Sequence, residues 1–168
     1  MEQNKFLTVF AVYDDDTQAI LKEYQDSVIN ATYSGTQTMN IPFHVTLGSF
    51  PVECEKELID RIKLACNENF EFDINLSRVG HFNNKVLFIE PEYTEQLMNL
   101  HALFDNNYPY GFPYHAHTTI FCGEEQQVIK AKAILTELFE SRQAKIVGIQ
   151  MGEFFPTRMI VARDLRKH

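Results

Sequence analysis

Cysteine is scarce in this sequence: Cys54, Cys66 and Cys122 are the only three among 168 residues. An odd number cannot pair completely, and none of the three lies in the CxxC spacing of a zinc knuckle. A fold that depends on several disulfides or on a cysteine zinc site is therefore not expected. We expect buried or half-buried free thiols instead.

Long hydrophobic runs are also missing. No apolar stretch approaches the roughly 20 residues that a membrane-spanning helix needs, and residues 1–5 lack the basic and then apolar pattern of a signal peptide. We therefore expect a cytoplasmic protein without a membrane partner. No segment is rich enough in proline, serine or glycine to form a linker, so the chain is most simply one domain, residues 1–168.

Basic residues are outnumbered by acidic ones. There are 15 Lys and Arg against 23 Asp and Glu, which gives a formal net charge of −8 and a pI near 5.2. Proteins that bind long duplex nucleic acid neutralise many phosphates with Lys and Arg, so this class of partner is not expected. A small phosphorylated molecule, or one end of an RNA, in a locally basic cleft is compatible with the composition.

One short pattern occurs twice. Residues His44 to Thr46 and His117 to Thr119 are His-x-Thr tripeptides, each within an apolar run. Side chains alternate between the two faces of a strand, so the histidine and threonine of each motif share one face and their apolar neighbours share the other. We expect two rigid strands on the wall of a cleft, with the polar face toward a ligand.

The elements around the two motifs are predicted in the same order. A strand and a helix precede each motif strand, and a helix and a strand follow it, as judged from apolar periodicity. We predict an α+β fold with a pseudo-twofold duplication, in which residues of about 1–80 and 81–168 form two similar lobes. Besides the motif strands, strands are predicted near 5–13, 70–76, 86–89, 145–151 and 159–162, and helices near 14–28, beyond Pro51, and near 93–104 and 124–138.

Two imidazoles suit acid–base chemistry at phosphorus. Histidine is available in both protonation states near neutrality, so one ring can take a proton from a nucleophile while the other gives one to the leaving oxygen. Threonine hydroxyls can donate to the non-bridging oxygens. This chemistry requires neither a metal nor a cofactor. We predict that His44 and His117 are catalytic and that Thr46 and Thr119 bind the phosphate.

The two motifs resemble the signature of the 2H phosphoesterase superfamily, which includes 2′,5′ RNA ligase-like proteins and cyclic nucleotide phosphodiesterases. The resemblance extends over nearly the whole chain. It implies antiparallel sheets that line a central cleft, with helices outside, and it implies the same roles for the paired histidines and threonines. This sequence departs from the family pattern at Thr118, which replaces an aliphatic residue, and at Tyr114-His115, which replace a frequent proline.

The leading interpretation is a metal-independent phosphodiesterase that opens cyclic phosphates, 2′,3′- or related, on nucleotides or RNA ends. The alternatives are 2′,5′ ligation of RNA ends and a binding module without turnover. We expect the loops near 30–41 and 105–114 to choose the substrate. The oligomeric state and the division of acid and base between the two histidines stay open.

Other residues allow competing interpretations. His115 and His117 share a strand face and could begin a zinc or manganese site, although His115 is more simply a residue of the cleft rim. Aromatic residues between Tyr108 and Tyr114 could stack on a nucleobase or pack the rim. By charge alone, the further candidates for phosphate contact are Arg78, Lys85 and Arg158.

Overall fold

The structure is a computed structural model that describes residues 5–32, 41–155 and 157–168. Over these residues the chain has the predicted α+β class. Each motif strand is preceded by a strand and a helix and followed by a helix and a strand. Residues 33–40, most of the polar stretch before the first motif, lie outside the described residues. The elements are β1 (Phe6–Tyr13), α1 (Asp15–Thr32), β2 (His44–Pro51), α2 (Glu55–Glu68), β3 (Phe72–Phe82), β4 (Val86–Pro91), α3 (Glu95–Leu103), β5 (Thr118–Cys122), α4 (Glu125–Leu138), β6 (Arg142–Phe154) and β7 (Arg158–Asp164).

All these strands pair antiparallel in one sheet of order β2-β1-β6-β3-β4-β5, with β7 on β6. The long β6 connects the two halves: residues 146–154 pair with β1, and residues 142–146 pair with β3. The strand that follows the second helix of each half thus pairs with the first strand of the other half, β6 with β1 and β3 with β4. The motif strands β2 and β5 lie at the two ends of this order. Two lobes divided near residue 80 remain a prediction.

The β3–β4 hairpin was only partly predicted. Strand β3 continues beyond Leu76 to Phe82, and Asn83 and Asn84 form the turn with φ of 50° and 53°. Asparagine tolerates this left-handed conformation, which matches the twist of paired strands. The amide of Lys85 donates to the carbonyl of Phe82 at 2.9 Å. The predicted strand ended at Leu76 because the alternation of apolar and polar residues ends there. In the structure, the residues of β3 after Leu76 are exposed or only half-buried.

One face of the sheet packs against the helices and forms the core. On β1, Leu7, Val9 and Ala11 are fully buried in this core. The intervening Thr8 and Phe10 point to the opposite face, which carries the candidate site. The helices contribute their predicted apolar faces to the core: Leu21 and Val28, Leu58 and Ile62, Leu97 and Leu100, and Val128, Ala131 and Leu135.

None of the three cysteines forms a disulfide. Cys66 is buried and Cys54 is half-buried, as expected, but Cys122 is exposed. The expectation was wrong for Cys122 because it is the last residue of β5, at an end of the sheet. Within the described ranges, no helix is long and apolar enough to cross a membrane.

Candidate active site

The first motif begins strand β2. Val45 and Leu47 are fully buried in the core, whereas His44 and Thr46 are half-buried on the opposite face. The Nδ1–H of His44 donates to the carbonyl of Pro42, with 2.7 Å between the two heavy atoms. The predicted alternation of polar and apolar side chains is therefore confirmed in this strand.

The second motif has the same arrangement. His117 comes directly before β5, and its Nδ1–H donates to the carbonyl of His115 at 2.7 Å. Ala116, Thr118 and Ile120 are fully buried behind it, as predicted.

The matched hydrogen bonds determine which imidazole nitrogen can react. A carbonyl oxygen can only accept, so Nδ1 carries the proton in both His44 and His117. In the neutral rings Nε2 then has a free lone pair. Each ring is thus arranged to take a proton, or to give one when charged, through Nε2.

Aromatic side chains surround both imidazoles. The ring of Phe10 lies 4.4 Å from that of His44, and the rings of Phe82 and Phe88 lie 4.8 and 5.3 Å from that of His117. Burial, together with the nearby charge of His117, lowers the pKa of His44 to about 4, although the hydrogen bond to Pro42 opposes this change. Burial also lowers the pKa of His117, whereas the bond to His115 and the charge of Glu90 oppose this change. Both rings are therefore neutral at pH 7 in the absence of a ligand.

Helix α1 is hydrogen-bonded to both motif strands. The side-chain amide of Gln18 donates to the carbonyl of Phe43 and accepts from its backbone N–H, both at 2.8 Å. The amide of Gln25 donates to the carbonyl of Ile120 at 2.9 Å. One helix is thus hydrogen-bonded to the residue before β2 and to the middle of β5, and it holds the two motif strands in position relative to each other.

A cleft of about 770 Å³ contains the first motif and part of the second. His44, Thr46 and Thr119 line it. His117 is not among the lining residues, although its charge acts on His44. Three of the four predicted site residues therefore line one cleft, and the fourth is near enough for its charge to act on His44.

Sequence reasoning missed several cleft residues. Lys22 lines the cleft with Gln18 and Gln25. These three positions are spaced i, i+4 and i+7 and so fall on one helical face, which is the sequence signal that could have identified them. The cleft is also lined by the aromatic residues Phe6, Phe43, Phe154 and Phe155.

The basic residues selected by charge have other contacts. Arg78 pairs with Glu90 at 2.9 Å. Arg158 contacts Glu55 at 2.7 Å and Glu153 at 3.5 Å. Lys85 is exposed at the β3–β4 turn. None of the three is among the residues that line the cleft.

His115 lies beside a carboxylate. Its Nε2 is 3.4 Å from Oε2 of Glu90, and its ring centroid is 6.3 Å from that of His117. In the part of the chain that the structure describes, no group of three or more His, Cys, Asp or Glu side chains is placed to hold a metal ion.

The aromatic loop serves partly as packing. The ring of Tyr114 stacks on that of His101 at 3.5 Å, and its hydroxyl donates to the carbonyl of Thr46 at 3.0 Å. Tyr110 and Phe112 remain 64% and 70% exposed. Tyr110 also contacts Phe6 at the cleft, with ring centroids 5.9 Å apart. Tyr110 and Phe112 also stack on each other, with ring centroids 6.1 Å apart. The loop therefore supports β2 at one end and presents largely exposed aromatic rings at the other.

Residues 11–151 match the family model of the 2′-5′ RNA ligase superfamily. The chain belongs to this superfamily. The match includes both motifs, and it confirms the resemblance to the 2H phosphoesterases. The superfamily consists of phosphoesterases and ligases. No curated protein matches the sequence.

Solved structures share the fold along their whole length. The Thermus thermophilus protein TT0787 has a TM-score of 0.62 at 14% identity and covers 97% of this chain and 99% of its own. Escherichia coli LigT complexed with phosphate has a TM-score of 0.62 at 12% identity, with 98% and 99% covered. LigT complexed with 3′-AMP has a TM-score of 0.58 at 13% identity, with 97% and 99% covered. At these identities the likeness establishes the fold alone.

Proposed function

We propose that this chain is a phosphodiesterase that opens cyclic phosphates, 2′,3′- or related, on nucleotides or RNA ends, with His44 and His117 as its acid–base pair. The observation that carries the proposal is the matched Nδ1–H bond of the two imidazoles, 2.7 Å in both motifs. It leaves two Nε2 atoms for proton transfer, which is the number that an in-line displacement needs. No step of this chemistry requires a metal.

The reaction follows from these two nitrogens. One neutral Nε2 takes a proton from water while the water oxygen bonds to phosphorus. The bond between phosphorus and one ribose oxygen breaks, and the other imidazole, in its protonated form, gives its Nε2 proton to that oxygen. Burial disfavours this charged form in the empty site. A phosphodiester anion bound nearby favours it, because an opposite charge raises the pKa of an imidazole.

The phosphate would be held by hydroxyls and one cation. Thr46 and Thr119 come from different motif strands and line the same cleft. Lys22 is the cationic side chain among the cleft residues that the structure describes. Lys22 pairs with Asp26 at 2.5 Å on the same helix, and a bound phosphate would compete with this exposed carboxylate for the ammonium group. Two neutral donors and this cation suit a singly charged phosphodiester.

A small nucleotide or RNA terminus fits the remaining walls. Phe6 and Phe155 line the cleft, and half of the Phe155 side chain is exposed, 51%. Exposed aromatic faces stack on bases. Crystal structures of LigT contain phosphate, 3′-AMP, ATP and NADP+, which supports the same ligand class here. The absence of disulfides at Cys54, Cys66 and Cys122 is compatible with the cytoplasmic location that we expect.

Ligation of RNA ends through a 2′,5′ linkage is the second candidate, because the matched family model is named for it. It is the same opening of a cyclic phosphate, with an RNA hydroxyl in place of water as the attacking group: its oxygen bonds to phosphorus, and the ribose oxygen that leaves takes up a proton. The ranking of hydrolysis above ligation rests on the acidic composition, which disfavours two long RNA strands.

The deciding experiment is hydrolysis of 2′,3′-cyclic mononucleotides in the presence of EDTA. We expect turnover by the wild type and losses of at least ~10²-fold in His44→Ala and His117→Ala. His168→Ala is the matched control, since His168 stacks on Phe70 at a distance from the cleft residues. Folded wild type that turns over neither mononucleotides nor cyclic-phosphate RNA ends would contradict the proposal.

The pH profile separates catalysis from binding. Two essential imidazoles give a bell-shaped kcat/KM. Since the pKa values of both free imidazoles are lowered by burial, we expect the maximum on the acidic side of pH 6.5. A binding module would show only a monotonic change of affinity.

A further inference from the structure

The two motif strands have different neighbours beside their histidines. Val12 on β1 pairs with His44 on β2. On β4, Ile89 pairs with Thr118, so the next residue, Glu90, reaches the position beside His117. Glu90 therefore occupies in the second half the place of Val12 in the first. Phe10 and Phe88, which pair with Thr46 and Thr119, are the matching residues two positions earlier on each strand.

Glu90 carries a buried charge at this position. It is only 8% exposed. Its Oε2 accepts from Nε of Arg78 at 2.9 Å, lies 2.9 Å from Nη2 of the same residue, and lies 3.4 Å from Nε2 of His115. A buried carboxylate needs such partners. Nothing comparable lies at Val12, whose side chain is apolar.

The surroundings of the two rings differ accordingly. Around His117 are the rings of Phe82 on β3 and Phe88 on β4, the imidazole of His115, the carboxylate of Glu90 and, beyond it, Arg78. The charge of Glu90 favours protonated His117, whereas burial and His115 oppose it.

The pKa of His44 is lowered with no carboxylate charge from the described residues to oppose the change. The ring meets Phe10 on β1 and the charge of His117 from the other motif, and both its burial and this charge oppose its protonation. Beside it, β1 supplies only Val12.

We propose that Glu90 is a positioning residue that makes the two histidines unequal, so that His117 gives the proton to the leaving ribose oxygen and His44 takes the proton from the attacking water. This assignment rests on the proposed hydrolysis. Water loses one proton to Nε2 of His44, the new bond joins its oxygen to phosphorus, and the ribose oxygen leaves with the proton of His117. Exchange with solvent restores both rings.

The first test is an NMR titration of the imidazole signals, which needs no turnover. In the wild type we expect His117 to titrate at a higher pH than His44. Glu90→Gln should lower the midpoint of His117 and leave that of His44 in place. Glu90→Asp, which keeps the charge, should restore most of the difference. The matched control is Glu92→Gln, an exposed carboxylate that contacts Asn75.

The second test varies the leaving group. A p-nitrophenolate needs no proton to leave, so a p-nitrophenyl phosphodiester should reduce the loss in His117→Ala at least ~10-fold relative to a 2′,3′-cyclic nucleotide. The loss in His44→Ala should be the same for both substrates. The reverse pattern would overturn the assignment, and so would a titration in which Glu90→Gln moves both histidines equally or neither.

The two tests also separate this inference from the proposed function. If the wild type turned over neither of these substrates nor cyclic-phosphate RNA ends, the hydrolysis and the assigned roles would both be refuted. The titration would still decide whether Glu90 acts on His117 alone.

Discussion

The phenolic oxygen of Tyr13 lies 2.7 Å from the hydroxyl oxygen of Thr118, and both side chains are buried. Tyr13 ends the opening strand of the first half, and Thr118 belongs to the second motif. Burial raises the pKa of the Tyr13 phenol, so the group stays neutral and able to donate. The bond explains how a hydroxyl is accommodated where related motifs carry an aliphatic residue.

Removal of one partner of this pair should destabilise the protein. Tyr13→Phe leaves the Thr118 hydroxyl buried without its partner, and we expect the free energy of unfolding to fall by about 1–2 kcal/mol. The double variant Tyr13→Phe/Thr118→Val should regain most of this loss, because neither group then needs a hydrogen bond. Urea unfolding of the four proteins of this cycle measures the effect. Strictly additive losses would show that the two hydroxyls do not interact.

Gly48 on β2 is predicted to be irreplaceable. A Cβ atom there would lie 1.7 Å from the carbonyl oxygen of Phe104 and 2.9 Å from its carbon. These are backbone atoms at the end of α3, so the whole contact between β2 and α3 would have to open. We expect Gly48→Ala to cost more than ~3 kcal/mol or to prevent folding.

Gly152→Ala is the matched comparison for that variant, measured by thermal or urea unfolding. Its Cβ would approach the sulfur of Met159 at 3.2 Å, and this flexible side chain can move aside. We expect a change within about 1 kcal/mol. Equal losses in both variants would contradict the steric argument.

Stability should fall in mild acid because of His44. Its folded pKa is lowered to about 4 from an ordinary value of 6.5, so between these values the unfolded chain binds a proton that the folded chain does not. Folding free energy is therefore lost as the pH falls from 6.5 toward 4. His44→Gln should reduce the difference in unfolding free energy between pH 7 and pH 4 by about 2–3 kcal/mol. Urea titrations at both pH values measure it, and an unchanged difference would exclude a depressed pKa.

The threonine hydroxyls should matter for the phosphate and little for the fold. Thr46→Val and Thr119→Val keep the side-chain shape and remove one donor each. We expect kcat/KM for a 2′,3′-cyclic nucleotide to fall roughly 10- to 10²-fold, and inorganic phosphate to inhibit less strongly. Thr136→Val, at an exposed position of α4, is the control. Unchanged kinetics in both motif variants would remove these residues from the proposed site.

Local patterns accounted for much of what was predicted. The alternation of His44 and Thr46 with Val45 and Leu47 depends only on strand geometry, and burial of the apolar pair confirmed it. Helical periodicity likewise identified the buried faces of the helices, because the 3.6-residue repeat depends only on helix geometry. The predicted ends were less accurate: β3 runs on to Phe82, where the side chains no longer alternate in burial.

The amino-acid sequence by itself determined the α+β class, the repeated order of elements and the four motif residues, because each depends on neighbours within a few positions. Only the tertiary structure decided that β6 joins β1 to β3, that Lys22 lines the cleft, and that Glu90 and Val12 occupy matching places beside the two histidines. These relations arise from pairing between strands and helices that are distant in the chain. The local periodicity of a sequence does not specify which strands pair with each other. It therefore cannot show that a charged side chain lies beside a particular histidine.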